Sequence, residues 1–397
     1  VGQLRSANIL GLSTMAMTAS FVIWNVFAPI AGQIQELFHL SSIQKSVLIA
    51  TPVLLGSILR IPLGIYTDRF GGRRVFAGTM LFLTLPLLMA GWAQTYEMLL
   101  LCALFIGMAG TTFAINTTYV SRWFAPERQG FVLGLAGLGN FGGAIASYTL
   151  PSLLNRYGLS WVFWGLAMMI FVITLFFWAG TRDLPPPAKV KTFKQSMEVL
   201  KEDSTWYLSM FYFLTFGSFV AFGAYLPTLF KDLFNMSTTD AGMKTAGFIV
   251  IATLIRPLGG WVADRIGSRK VLAVVFSGIV VSALLMVASL HHFAGFSAGY
   301  LLAACLLGVG NGAVFKMVPE VSTGNTGAVT GIVGAAGGVG GFFPPILLGV
   351  IKEITGSYTL GFIILMLFAC VCLWMNIATG RNQAARQKIS ASLVKER

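Results

Sequence analysis

Arg60 and Arg256 are the residues of this 397-residue chain that are hardest to explain as structure alone. Each lies in an otherwise apolar stretch, eight residues ahead of an aspartate (Asp68 and Asp264) in a charged turn. On a helix rising 1.5 Å per residue, each guanidinium stands about 12 Å from that turn. That depth is near the middle of a hydrocarbon layer about 30 Å thick. An arginine there costs about 2.5–3.5 kcal/mol even on the lenient insertion scale, and two at matching depth repel each other. Buried carboxylates would be the ordinary remedy, but all 14 acidic residues fall in expected loops, the tail or helix ends. Two central cations without a resident counter-ion predict a mobile one, so the expected cargo is an anion. The competing explanation is that backbone carbonyls, water and snorkelling satisfy both side chains.

Asn140 is the next candidate. It stands in a run of glycines, Gly130, Gly134, Gly137, Gly139, Gly142 and Gly143, echoed late in the chain by Gly331, Gly334, Gly337, Gly338, Gly340 and Gly341. Glycines four apart allow helices to pack closely in lipid, which accounts for most of them. The stretch Gly137–Gly142 also matches G-x-G-x-x-G, but no strand precedes it and no dinucleotide fold is expected. A buried amide among glycines needs partners, and its NH₂ is a donor suited to an anion.

The elements that must position these residues are transmembrane helices. Hydrophobic residues make up 56% of the chain and charged ones only 10%, against about 25% charged in soluble domains. At about 20 residues per crossing, twelve spans are expected, the first at 8–30 and the last at 358–379. The first follows Arg5 and is too long for a signal peptide, so it reads as a helix. With the N-terminus inside, 19 Lys and Arg fall on the cytoplasmic side and 5 on the other, which predicts both termini in the cytoplasm. The net charge of +13 reflects those loops rather than a nucleic-acid partner. Four cysteines in apolar stretches read as packing residues, and three histidines in or beside loops exclude a histidine-built metal site or proton relay.

The longest polar stretch, 181–205, divides the chain into bundles at 1–180 and 206–380, with a flexible cytoplasmic tail at 381–397. The halves repeat. Arg60, Gly64, Asp68, Arg69, Gly71, Arg73 and Arg74 recur 196 residues later as Arg256, Gly260, Asp264, Arg265, Gly267, Arg269 and Lys270. In each turn the Asp is expected to hold an Arg or cap a helix end at the membrane surface. Duplicated halves with a site between them near mid-membrane are a transporter architecture.

The repeated G-x-x-x-D-R-x-G-x-R-[RK] pattern resembles the loop signature of the major facilitator superfamily. The glycine run at Asn140, its echo at Gly331–Gly341, the Arg60/Arg256 pair and two further segments resemble its nitrate/nitrite porter family. Those segments are Tyr212–Phe219 and Gly308–Pro319. The resemblance implies an all-α fold of two six-helix pseudo-repeats, with an anion held between the central arginines, rings above and below and an asparagine alongside. It thereby implicates Arg60, Arg256, Asn140, Tyr212, Phe113, Phe21 and Asn311, and leaves Asp68, Arg69, Arg73, Asp264, Arg265 and Arg269 to the gating loops. The later glycine run has Gly337 in place of a second asparagine, so the site is expected to be asymmetric. Nitrate is planar and singly charged, a match for the guanidinium fork.

The function expected from this is secondary transport of nitrate or nitrite across the cytoplasmic membrane by alternating access, with exchange favoured. Proton symport and transport of another oxyanion such as phosphate are the alternatives. No enzyme is expected, since the spans hold no nucleophile–base pair, and neither a cofactor nor a metal is implied. The protein is expected to act as a monomer. Lys316, near the cytoplasmic end of its span, reads either as a gate or as a snorkelling side chain.

Overall fold

The computed structural model describes residues 2–124, 132, 135–185, 195, 198–321 and 326–395, which form helices joined by short turns and loops, with no strand among them. Twelve helical spans follow in order. In the first half they are α1 (Ser6–Phe38), α2 (Ser42–Thr67), α3 (Gly72–Gly91), α4 (Tyr96–Ser121), α5 (Phe141–Tyr157) and α6 (Leu159–Gly180). In the second they are α7 (Asp203–Phe234), α8 (Thr238–Ile266), α9 (Ser268–Ala288), α10 (Phe293–Val321), α11 (Gly331–Thr355) and α12 (Thr359–Lys395). Eleven are long and apolar enough to cross a membrane by the described residues alone. The exception is α5, whose first turns fall partly outside those residues.

Local sequence explains where the helices start and stop. Ser41 and Gln44 form a reciprocal capping box ahead of α2, and the Thr95 and Ser237 side chains cap α4 and α8. The repeated turns share one backbone conformation: Gly71 has φ 94° and ψ 141°, Gly267 φ 92° and ψ 135°. Only glycine adopts that region without strain, so the duplication read in the residues is also a duplication of shape.

The breaks inside helices matter most for the site. α1 is interrupted at Asn25–Val26 and α2 at Leu59, immediately before Arg60. Pro62 cannot donate to the Ile58 carbonyl, which loosens the turn that carries Arg60. α4 tightens into a 3₁₀ segment at Gly107–Thr111. α8 runs unbroken past Arg256 despite Pro257. The two arginines therefore match in sequence position but sit on unlike backbones.

The halves meet along α1, α2 and α5 on one side and α7, α8 and α11 on the other. At the end remote from the signature turns, polar contacts tie them together. Lys231 pairs with Glu36 at 2.6 Å, Glu353 accepts from the Ile43 backbone N–H at 3.2 Å, and Ser46 bonds Tyr225 at 3.2 Å. Beyond residue 380, α12 continues through Lys395. Its Ala, Gln, Arg and Lys are good helix formers.

Candidate functional site

Arg60 is 2% exposed. Its Nε donates to the Gly110 carbonyl at 3.2 Å and its Nη1 to the Gly334 carbonyl, in the opposite half, at 3.0 Å. Its Nη2 is buried with no partner. Around the guanidinium carbon lie three rings: Trp24 at 5.5 Å, Phe113 at 5.5 Å and Phe216 at 5.4 Å. These are cation–π distances.

Arg256 shares two of those rings, standing 5.9 Å from Phe113 and 5.9 Å from Phe216, with Phe315 at 5.6 Å. Its Nη2 donates to the Tyr212 hydroxyl at 2.9 Å. Tyr212 stacks on Phe216 with centroids 5.0 Å apart and planes 5° apart, and meets Phe315 edge-on at 4.8 Å. Phe113 and Phe216 thus form a pair, 6.3 Å between centroids, that both cations flank.

No carboxylate neutralises this pair among the described residues. The ion pairs found there join Lys231 to Glu36 and Lys316 to Asp264, both away from the arginines. What faces the two charges is carbonyl oxygen, a hydroxyl and ring faces. Such dipoles offset only part of the cost of a buried cation, and the orphaned Nη2 of Arg60 is a donor awaiting an acceptor.

Glycines make the enclosure possible. A Cβ at Gly110 would lie 2.6 Å from the Trp24 ring, so the carbonyl that receives Arg60 is reachable only because that residue has no side chain. Gly337 is crowded in the same way by the ring of Tyr212.

Of the residues expected at the site, Arg60, Arg256, Tyr212 and Phe113 come together. Phe21 lies one ring further out, edge-on to Trp24 at 5.0 Å. Asn140 is buried, but its Nδ2 donates to the Gly137 carbonyl at 2.9 Å rather than pointing a free donor at the arginines, and its Oδ1 has no partner. Asn311 is 2% exposed with its Oδ1 likewise unpartnered, on the turn of α10 that packs against the Arg256 backbone through Gly312. Neither amide bonds either guanidinium. Trp24, Phe216 and Phe315 were not anticipated. Their spacing held a hint: each follows an implicated residue, Phe21, Tyr212 and Asn311, by three or four positions and so shares its helix face.

The signature loops hold their own halves together. Arg73 donates to the Trp178 carbonyl at 3.0 and 2.6 Å and stands 3.9 Å over that indole, while its backbone N–H donates to Asp183. Its counterpart Arg269 reaches the Asn376 carbonyl at 3.0 Å and the Thr379 hydroxyl at 2.8 Å. Each ties its turn to the sixth helix of its half. Arg69 and Arg265 lie over Phe70 and Trp261, at 5.3 and 4.0 Å. Asp264 pairs with Lys316 at 2.7 Å, so the expected arginine partner is a lysine from α10 and that lysine is an ion-pair partner rather than a free cation. The side chain of Asp68 lies outside the described residues.

Beyond Trp24, toward the end remote from the signature loops, the space between the halves narrows. A void of about 10 Å³ remains, lined by Trp24, Asn25, Ile49, Val53, Val220 and Ala224 among others. That is room for one water at most.

Comparison with known proteins agrees with this architecture. The sequence profile of the Major Facilitator Superfamily matches residues 13–253 and 208–395. A "Probable nitrate transporter NarT" of Staphylococcus epidermidis is 34% identical over 378 residues, 95% of this chain and 97% of that protein. The "Nitrite extrusion protein" of Bacillus subtilis is 36% identical over 90% of each chain. A "Probable nitrate/nitrite transporter NarK2" of Mycobacterium tuberculosis is 35% identical over 92% of this chain and 94% of its own. A solved structure of a bacterial homolog to the human lysosomal transporter Spinster superposes with a TM-score of 0.72, covering 94% of this chain and 97% of that one, at 15% identity. The chain is a membrane transporter, not an enzyme, of the major facilitator superfamily and belongs to its nitrate/nitrite porter family.

Proposed function

We propose that this protein carries nitrate and nitrite across the cytoplasmic membrane by alternating access, exchanging one for the other, with both termini in the cytoplasm. The observation that carries this reading is the shared enclosure of Arg60 and Arg256. Two guanidiniums, Arg60 buried and Arg256 half-buried, flank the same two phenylalanine rings with no carboxylate beside them among the described residues. A small planar oxyanion fits between them, because it accepts from both forks and tolerates aromatic walls. The names of the relatives point to the same cargo.

In this reading the two halves rock as bodies around the fixed site at the arginines. The space between the halves narrows at the remote end to a void of about 10 Å³, and in this reading cargo enters from the side of the signature loops. Drawing the arginines together without an anion costs repulsion in a low dielectric. A bound anion removes that cost, so the loaded carrier turns over and the empty one does not. That asymmetry favours exchange over net uptake. Asn140, Phe21 and Asn311 join the cargo site only if the helices close further around it.

Counterflow in proteoliposomes tests the reading. Labelled nitrate should enter vesicles preloaded with nitrite or nitrate and not empty ones, and nitrite but not phosphate should compete. Uptake that needs no internal anion and follows a pH gradient would replace exchange with proton symport. Competition by phosphate equal to that by nitrite would replace the cargo.

A further inference from the structure

A second cavity lies away from the arginines, between α7, α11 and α12, with a volume of about 290 Å³. Its wall is carbon almost throughout, with Phe222 and Leu229 on α7, Leu348 on α11 and Leu365 on α12. The Tyr225 hydroxyl, one of its few polar groups, already bonds Ser46. The rim residues Phe343 and Leu347 are 53% and 38% exposed, so the cavity opens sideways at the level of the hydrocarbon layer. Water has no partners in such a space. A flexible apolar chain from the bilayer does.

One helical turn beyond the lining residue Leu348, toward the closed end, stands a charge. Lys352 follows Leu348 by one helical turn and shares its face of α11. Its ammonium lies 5.0 Å over the ring of Tyr358, and that ring meets Tyr225 of the cavity wall edge-on at 6.1 Å. Lys352 donates to the Gly356 carbonyl at 2.9 Å and has no carboxylate within ion-pair distance among the described residues. The charged neighbours at this end are Lys45, Lys231, Asp232 and Glu353: Lys231 pairs with Glu36, Asp232 accepts from the Tyr358 hydroxyl, and Glu353 accepts from the Ile43 backbone N–H.

We propose that this cavity is a binding site for an anionic phospholipid, with one acyl chain between α7, α11 and α12 and the headgroup phosphate on Lys352. The chain presses on Tyr225, the residue that bonds the opposite half at the closed end. An occupied site therefore supports the conformation described here. The lipid reaches the transport cycle through that ring rather than through the arginines.

Native mass spectrometry on the purified full-length chain tests this. The protein, stripped of lipid by detergent exchange, is titrated with phosphatidylglycerol or phosphatidylethanolamine of equal chain length. The wild type should retain phosphatidylglycerol more strongly by about fivefold, the share one lysine contributes near an anionic surface. Lys352→Ala should lose the preference, and Lys352→Arg should restore it. Leu347→Trp, which fills the mouth from an already exposed position, should lose retention of both lipids. Equal retention of the two lipids by the wild type, or undiminished retention by Leu347→Trp, would overturn the proposal.

Discussion

Arg60 reaches across the interface between the halves and donates a hydrogen bond to the main-chain carbonyl of Gly334 at 3.0 Å. A backbone oxygen thus occupies one arm of the guanidinium fork, a weak stand-in for an anion because it brings a dipole and no net charge. In the proposed cycle an arriving oxyanion competes for that arm and for the unpartnered Nη2 beside it. That competition would turn a contact between helices into a contact with cargo and so carry anion arrival to α11.

Tyr212→Phe should weaken anion binding without unfolding the protein. The hydroxyl accepts from Arg256 at 2.9 Å and fixes the orientation of its fork. Hydrogen bonds to charged groups contribute about 1.5–3 kcal/mol, so affinity measured by titration calorimetry should fall about tenfold or more. An unchanged affinity would show that Tyr212 does not orient the site.

Gly337→Val should destabilise the fold through the site. The added carbons meet the ring of Tyr212, which is fully buried and wedged between Phe216 and Phe315. Overpacking of this kind costs about 1–3 kcal/mol. A lowered melting temperature of the detergent-solubilised protein checks it. Gly331→Ala, at a position with open space around it, is the control and should melt as the wild type does.

Lys316→Met should leave anion affinity within about twofold of the wild type. Its ion pair with Asp264 is 40% and 54% exposed, and exposed pairs contribute about 0–1 kcal/mol. A large loss of affinity would return Lys316 to the cargo path.

The closed end should resist acid and give way to alkali. Burial, and after it the neighbouring Tyr225 and Asp232, raise the Tyr358 hydroxyl well above the usual tyrosine range. With the folded pKa raised, the contribution of Tyr358 is fully present below the unfolded value near pH 10 and is lost as pH climbs above it. Melting curves across pH 6–11 should show this loss at the alkaline end, and Tyr358→Phe should reduce it.

Much of this was legible in the residues because lipid restricts what a chain can do. The cost of exposing backbone polar groups in hydrocarbon leaves helices as the solution for these spans. The 196-residue repeat then located two arginines at equal depth. Phe113 and Tyr212 came from resemblance, and the structure brings both to the arginines. The backbone partners could not be read. Gly110 and Gly334 offer carbonyls through a 3₁₀ turn and a contact between halves, and neither leaves a mark in residue type. The break before Arg60 was equally hidden, since Pro62 and Pro257 sit at similar places and only α2 is interrupted. Asn140 shows the limit of residue chemistry: its amide suits an anion, yet here it spends its donor on Gly137.

Titration calorimetry of nitrate against wild type, Arg60→Lys and Arg256→Lys tests the central claim most directly. Lysine keeps the charge and loses the planar fork, so both variants should bind at least about tenfold more weakly. Binding unchanged in both would contradict the account, because the two cations would then serve the fold and not the cargo.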